Sequence, residues 1–343
     1  MSHIHCSFLQ SLLAQDLTVL SFKLACPEWR MPLTCCEGRW LTSHRTGIGL
    51  MMARALIYNN AKRVYILGAV SAELNAAVDA LPPLVNGKSS TGRLFPIRCD
   101  ITNKRDLDEA VAIVKTHLGY INLLVVNAGI PGPQEPGQVL ADVIKKSGGK
   151  PPTPTEYAKI FYKFDMDDFT RTLHVNTTGA FYTALAFLPL LEEGNTGIRP
   201  GAVINTINPK SQILFTTSAS AATRTFADKS PAYAASKAAT LHLVKNLSTY
   251  SAQCGWHIRM NAFLPGMVAT AMTAGLPFIQ GRDGKMAHEE GGVPKEVSPA
   301  GRIVGEEDVA GAVLYLCSKA GGMLDGCVLL VDGGRVGVVP ATY

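Results

Sequence analysis

Short apolar runs alternate with segments of helical periodicity through most of this 343-residue chain, and the runs end in the same way. Val64–Leu67 stops at Gly68, Leu94–Cys99 at Asp100, and Ile121–Val126 at Asn127-Ala128-Gly129. Further on, Ile213–Thr217 stops at Ser218 and Ile258–Leu264 at Pro265-Gly266. Helical patterns fill the intervals, over 71–80, 103–118, 165–191 and 231–252. Strands alternating with helices of this length build βαβ units, and those units place strands parallel with helices on both faces. The pattern therefore predicts an α/β chain with a doubly wound parallel sheet. In such a sheet ligands bind beyond the strand C-termini. Small or polar residues at five successive exits are what that crevice requires.

Composition narrows the function classes. With 47% hydrophobic and 17% charged residues, extended disorder is excluded for most of the length. The net charge of +5 comes from scattered Lys and Arg, with no basic block and no interleaved aromatics, so nucleic acid is not an expected partner. No run of 18 apolar residues marks a membrane span, and the N-terminus lacks a basic stretch followed by an apolar core. The eight cysteines show no repeating spacing, which fits a reducing compartment and a cytoplasmic location. Cys26, Cys35, Cys36 and His44 have the wrong spacing for a zinc knuckle, so no metal is expected.

Residues 1–40 read as an appended segment, in which Phe8–Phe22 has the leucine spacing of an amphipathic helix. A single domain is expected over 41–343. Polar or Pro/Gly-rich excursions interrupt it at 131–163 and 192–211, and a glycine-bearing flap occupies 267–300. The stretch 33–41 stands where a first strand should enter the glycine turn. It contains Glu37, Gly38 and Arg39, so that strand is expected to be irregular or missing.

Tyr233 and Lys237 lie four residues apart in Ser230-Pro-Ala-Tyr-Ala-Ala-Ser-Lys237, one turn apart on one helix face. A free phenol titrates near about pH 10, and a neighbouring ammonium favours its ionised form. Such a pair suits proton transfer. Tyr packed in a helix contact and Lys facing solvent is the plain alternative. Ser218, fifteen residues upstream of Tyr233, offers a hydroxyl at a strand end, with Ser220 close by.

Asn127-Ala-Gly129, Asn176, Ser218, Tyr233 with Lys237, Pro265-Gly266 and the closing Val331-Asp-Gly-Gly334 stand in an order that resembles the short-chain dehydrogenase/reductase family, over about 42–334. The resemblance implies a Rossmann-like fold. It also implies an oxidoreductase that interconverts a secondary alcohol and a ketone by hydride exchange with NADP or NAD. It gives Tyr233 the acid/base role, Lys237 the ribose and the charge, Ser218 the substrate oxygen and Asn176 a water in a proton relay.

The same resemblance places the cofactor along Thr42, Ser43, Arg45, Gly47, Ile48 and Gly49, then Asp100, Ile101, Asn127, Ala128 and Gly129, with Pro265, Gly266 and Thr270 at the nicotinamide. Ser43 stands where the glycine loop of the family has its first Gly. A dinucleotide-binding or scaffolding homologue with impaired catalysis is therefore the alternative. Gly68 and Ala69 replace the acidic residue that selects NAD, which tilts the expectation to NADP, with Arg45 or Arg63 as a source of positive charge. A neutral, partly apolar substrate and a homodimer or homotetramer complete the expectations. The helices at 165 and 231 would form the subunit contact, through Val175, Gly179, Ala180, Ala184, Ala235 and Ala239.

Overall fold

The computed structural model describes residues 18–22, 47–59, 61, 63–79, 94–133, 135–196, 210–225, 230–274, 276 and 278–342. Seven strands form one parallel sheet in the order β3-β2-β1-β4-β5-β6-β7. They are β1 Thr18–Phe22, β2 Arg63–Gly68, β3 Leu94–Arg98, β4 Leu123–Val126, β5 Gln212–Thr216, β6 Arg259–Pro265 and β7 Val328–Val331. The order reverses between β1 and β4, which is the switch point that opens a crevice in a doubly wound sheet. The expected α/β, Rossmann-like doubly wound fold is what the chain adopts.

The helices are α1 Ile48–Tyr58, α2 Ser71–Asp79, α3 Lys104–Leu118, α4 Glu135–Lys146, α5 Pro154–Phe161, α6 Met166–Leu173, α7 Ala180–Thr196, α8 Pro231–Gln253 and α9 Glu306–Cys317. One face of the sheet packs Leu50, Leu56, Ile57, Leu74, Val313 and Leu316, from α1, α2 and α9. The other packs Leu107, Val114, Phe187, Leu191, Val244 and Leu247, from α3, α7 and α8. Strands buried on both faces must be apolar throughout, which is why β4 and β5 read as unbroken hydrophobic runs.

Several expectations change. The first strand is neither missing nor drawn from 33–41: Thr18–Phe22 pairs in parallel with β2 and β4 at the middle of the sheet. The leucine spacing of Phe8–Phe22 predicts a helix through Leu20, but two neighbouring strands offer this backbone ladder partners on both sides. Residues 18–22 therefore belong to the sheet and not to an appended segment. The rest of 1–40 lies outside the described residues, as do Cys6, Cys26, Cys35, Cys36 and His44.

The 131–163 excursion is organised by two helices. Thr153 caps α5 by a reciprocal arrangement with Glu156. Pro189 does not end a helix; α7 continues through it to Thr196. The 267–300 segment carries its own small core of Met267, Ile279, Ala287 and Val293, closed by Ile303. Its turns are thus packed and not merely hinged. Ala180 and Ala184 are consumed inside the subunit, at 2% and 1% exposure, whereas Ala235 is exposed. Among the described residues no helix is long and apolar enough to cross a membrane, no cluster of ligating side chains gathers for a metal, and Cys99, Cys254, Cys317 and Cys327 are free thiols.

Candidate active site

Strand β5 delivers Ser218 and helix α8 delivers Tyr233 and Lys237 to the C-terminal edge of the sheet. Ser230 starts α8: its hydroxyl accepts from the Tyr233 amide at 3.1 Å and donates to the Pro131 carbonyl at 3.1 Å. The cap thus ties the helix that bears Tyr233 to the exit of β4. Pro231 follows at the first helical position, where a missing N–H costs nothing.

Tyr233 is 6% exposed and shares a side-chain hydrogen bond with Ser218. That contact selects Ser218 over Ser220, whose amide instead donates to Ser218 Oγ at 3.1 Å. Lys237 is 4% exposed, and its Nζ donates to the Thr216 carbonyl at 2.9 Å, 5.8 Å from the centre of the Tyr233 ring. Burial pushes the Lys237 ammonium down to about 8. Burial also raises the Tyr233 phenol, and the Ser218 hydrogen bond offsets only part of that. The expected lowering of the phenol by Lys237 is therefore not what this arrangement gives. Desolvation outweighs the Ser218 hydrogen bond and keeps the phenol protonated at neutral pH.

Asn176 sits in a π-helical turn, His174–Gly179, between α6 and α7. Such turns recur at functional positions, because the extra residue pushes a side chain out of the regular ladder. Here the side chain is fully engaged. Oδ1 accepts from the Ile130 amide at 2.8 Å, and Nδ2 donates to the Ile130 carbonyl at 3.0 Å and to Ser236 Oγ at 2.9 Å. The Asn176 carbonyl accepts from Thr240 Oγ1 at 2.9 Å. Asn176 clamps the β4 exit beside Lys237. Its amide is used on the Ile130 backbone and on Ser236 Oγ, so a water would have to be held by some other atom than the amide.

A cleft of about 410 Å³ joins these groups. Gly47, Ile48, Asn127, Gly129, Ser218, Tyr233, Lys237, Pro265, Gly266 and Thr270 all line it, as expected. Gly129 is a close approach: a Cβ there would stand 3.1 Å from Asn176 Oδ1 and 3.3 Å from Lys237 Nζ. Among the described residues, five expected ones do not line it: Asn176, whose bonds are given above, and Gly49, Asp100, Ile101 and Ala128. Gly49 is buried within α1, and Ala128 is buried behind the exit. Ile101 belongs to the core with Ala180 and Leu107, because its side chain is apolar and faces α3 and α7.

Asp100 is committed to its own turn, its Oδ1 accepting from the Thr102 amide at 2.9 Å and hydroxyl at 2.7 Å. Burial opposes its ionisation, but the Thr102 hydrogen bonds and the charges of Arg98 and His174 prevail and hold the carboxyl below its usual value. Arg63 opens β2, at the end away from the cleft, and lies 5.7 Å over the Phe95 ring, so it cannot serve the cofactor edge. Thr42, Ser43 and Arg45 lie outside the described residues.

The cleft also contains residues that the sequence reading missed: Thr216, Thr217, Thr223, Thr225, Thr273 and Arg335. The hydroxyls of Thr216 and Thr217 are buried without a hydrogen-bond partner. Orphaned hydroxyls beside a strand exit call for a polar ligand, since an unpaired buried group is costly. Together with the missing Cβ at Gly129 they fit the nicotinamide end of a dinucleotide, and the N-terminus of α1 at Gly47 fits its phosphates. A run of Thr after an apolar strand was the available signal for Thr216 and Thr217. Arg335 had none, because it reaches the cleft from the far end of the chain.

The profile of the family described as short chain dehydrogenase matches residues 40–277. The chain is 36% identical over 305 residues to short-chain dehydrogenase/reductase PhomF' of Diaporthe leptostromiformis, covering 88% of this chain and 92% of that one. Two solved structures share the fold. L-sorbose reductase from Gluconobacter frateurii, complexed with NADPH and L-sorbose, is 18% identical with a TM-score of 0.64, covering 94% of this chain and 98% of that one. A 7 alpha-hydroxysteroid dehydrogenase, complexed with NADH and 7-oxo glycochenodeoxycholic acid, is 23% identical with a TM-score of 0.61, covering 94% and 96%.

Proposed function

The chain belongs to the short-chain dehydrogenase/reductase family, and we propose that it is an NAD(P)-dependent oxidoreductase that interconverts a secondary alcohol and a ketone on a neutral, partly apolar small molecule. The observation that carries this reading is the hydrogen-bonded Tyr233–Ser218 pair facing a cleft that Lys237 and Gly129 also line. A nicotinamide cofactor, held by Lys237 and the glycine turn, would supply the hydride in one direction and accept it in the other.

The residues then divide the remaining work. Ser218 donates to the substrate oxygen and stabilises the charge that grows there. Tyr233, protonated at neutral pH, delivers its proton to that oxygen in reduction and takes it back in oxidation. Lys237 in its ammonium form stabilises the phenolate left behind and holds the ribose hydroxyls. Asn176 acts by fixing Ile130 and so the floor under Lys237. Met267, Met272 and Val268 give the substrate side an apolar wall.

Two points support NADP as the preferred cofactor, with NAD as the other option. Gly68 ends β2 where an acidic side chain would repel a 2′-phosphate. Arg45 in the glycine turn is a source of positive charge. The test is a spectrophotometric panel, in which cyclic and aromatic ketones, 9,10-phenanthrenequinone among them, are offered with NADPH and NADH. Carbonyl-dependent oxidation of either cofactor is expected. Saturable cofactor binding with no turnover across the panel would favour the alternative, a dinucleotide-binding homologue without catalysis.

A further inference from the structure

The chain does not end at β7. Asp332 closes a turn, its Oδ1 accepting from the Gly334 amide at 2.9 Å and its Oδ2 from the Val336 amide at 2.7 Å. The chain then runs back to the loop that follows Ser218. The Arg224 amide donates to the Pro340 carbonyl at 2.8 Å, and the Thr342 amide donates to the Ala222 carbonyl at 2.8 Å. Thr342 Oγ1 adds a second bond to that carbonyl at 3.2 Å. Thr223 and Ala341 face each other as an antiparallel bridge. Val336 packs with Ala219 and Ala222 in an apolar cluster separate from both main cores.

The same segment holds two other walls. Arg335 Nη1 donates to the Val297 carbonyl at 2.6 Å, and the Ala300 amide donates to the Gly333 carbonyl at 3.0 Å, both in the 267–300 segment. Asp332 lies so close behind the β6 exit that a Cβ at Gly266 would come within 2.8 Å of its Cα.

The loop itself has little to hold it. After Ser218 it makes one 3₁₀ turn, Ala219–Ala221, and such turns are short because their hydrogen bonds are poorly aligned. Its internal bonds are Ser220 amide to Ser218 Oγ, Ala221 amide to the Ser218 carbonyl at 2.9 Å, Ala222 amide to the Ala219 carbonyl at 3.0 Å, and the longer pair from Thr223, amide to the Ala219 carbonyl at 3.3 Å and Oγ1 to the Ser220 carbonyl at 3.5 Å. From Thr223 onward the C-terminal segment adds the outside hold, by the Thr223–Ala341 bridge and the bond from the Arg224 amide to the Pro340 carbonyl.

We propose that residues 335–342 are a positioning strap, which holds the 219–225 loop so that the Ser218 hydroxyl stays against Tyr233. The strap acts through Ser218 and so rests on the oxidoreductase reading above. It also sets one wall of the cleft, since Thr223 lines it while paired to Ala341.

The test compares the full chain with a chain stopped after Val339 and with Thr342→Val. Amide hydrogen exchange is read at Ser220, Ala221 and Ala222, whose own acceptors neither change touches. NADPH affinity is read by nicotinamide fluorescence, and turnover by NADPH oxidation with 9,10-phenanthrenequinone. In the shortened chain, exchange at the three amides rises and kcat falls by about tenfold, the scale of one or two lost hydrogen bonds. KM for the quinone and the NADPH Kd stay within about twofold, which loss of overall fold would not allow. Thr342→Val shifts exchange and kcat in the same direction by less, and carries the test if the shortened chain is too unstable to assay. Unchanged exchange at 220–222 overturns the proposal, and so does faster exchange with kcat intact. If the full chain turns over no carbonyl compound, the oxidoreductase reading fails by itself, and the exchange measurement still decides whether the strap holds the loop.

Discussion

The two ends of the cleft are built differently. At the Tyr233 end the strands run straight into the chemistry: β5 ends at Thr216 and Ser218 follows within two residues. The capped start of α8 locks Tyr233 to the β4 exit through Pro131. At the phosphate end, residues 23–47 intervene between β1 and α1, whereas only residues 69 and 70 separate β2 from α2. The comparison teaches that proton-transfer geometry and cofactor delivery are separable in this chain. The first depends on short connections and buried hydrogen bonds. The second depends on a long connection of which Gly47 alone is described, at the start of α1.

The largest effect expected at the Tyr233 end is from Tyr233→Phe, which removes the proton donor and keeps the ring. Turnover falls by about 10²–10⁴ while NADPH affinity stays within about twofold. Loss of binding in that variant would mean that the two ends are not separable. Next comes Ser218→Ala, expected to lower kcat by about 10²–10³, as for removal of one oxyanion donor. Equal losses in kcat and in cofactor affinity would contradict the division.

The pH dependence is a milder probe of the same end. Burial holds Lys237 at about 8 and Tyr233 above its ordinary value. Below that pH Lys237 is charged and the phenol carries its proton, so kcat/KM for ketone reduction is level. Above it the ammonium is lost first, and kcat/KM falls by about tenfold per pH unit. A profile flat from pH 7 to 10 would break the assignment. The sign for stability is also fixed: a lysine whose folded pKa is depressed disfavours the native state while protonated. Its contribution therefore improves as pH rises from about 8 towards the unfolded value.

At the other end, Arg45→Ala is expected to weaken NADPH by about tenfold and leave NADH unchanged, the scale of one charge-assisted hydrogen bond. An equal effect on both cofactors would remove Arg45 from the 2′-phosphate.

Legibility in the sequence followed the same division. Strands β2 to β6 were readable because each is an apolar run with a small or polar exit, and a two-faced sheet permits little else. Tyr233, Lys237, Ser218 and Gly129 fall together because those exits lead directly into them. Thr18–Phe22 was not readable, since five residues of mixed character become a strand only through the ladders that β2 and β4 provide. The helical pattern over 165–191 understates α7, which runs through Pro189 to Thr196 because Phe187 and Leu190 pack into the core around it and tertiary burial overrides the break. Ile101 and Asp100 are expected at the cofactor from the resemblance, and their side chains are spent elsewhere, the apolar one in the core and the carboxylate in its own turn. Arg335 and the 335–342 return carry no periodicity, so their place against the Ser218 loop emerges only in three dimensions.

The central claim is that this cleft still receives a dinucleotide at its Tyr233–Lys237 end despite the altered approach from β1. Titration of the full chain with NADPH and with NADH, followed by nicotinamide fluorescence, tests it most directly. Saturable binding at submillimolar concentration, tighter for NADPH, is the predicted result. No binding of either cofactor at millimolar concentration would contradict it.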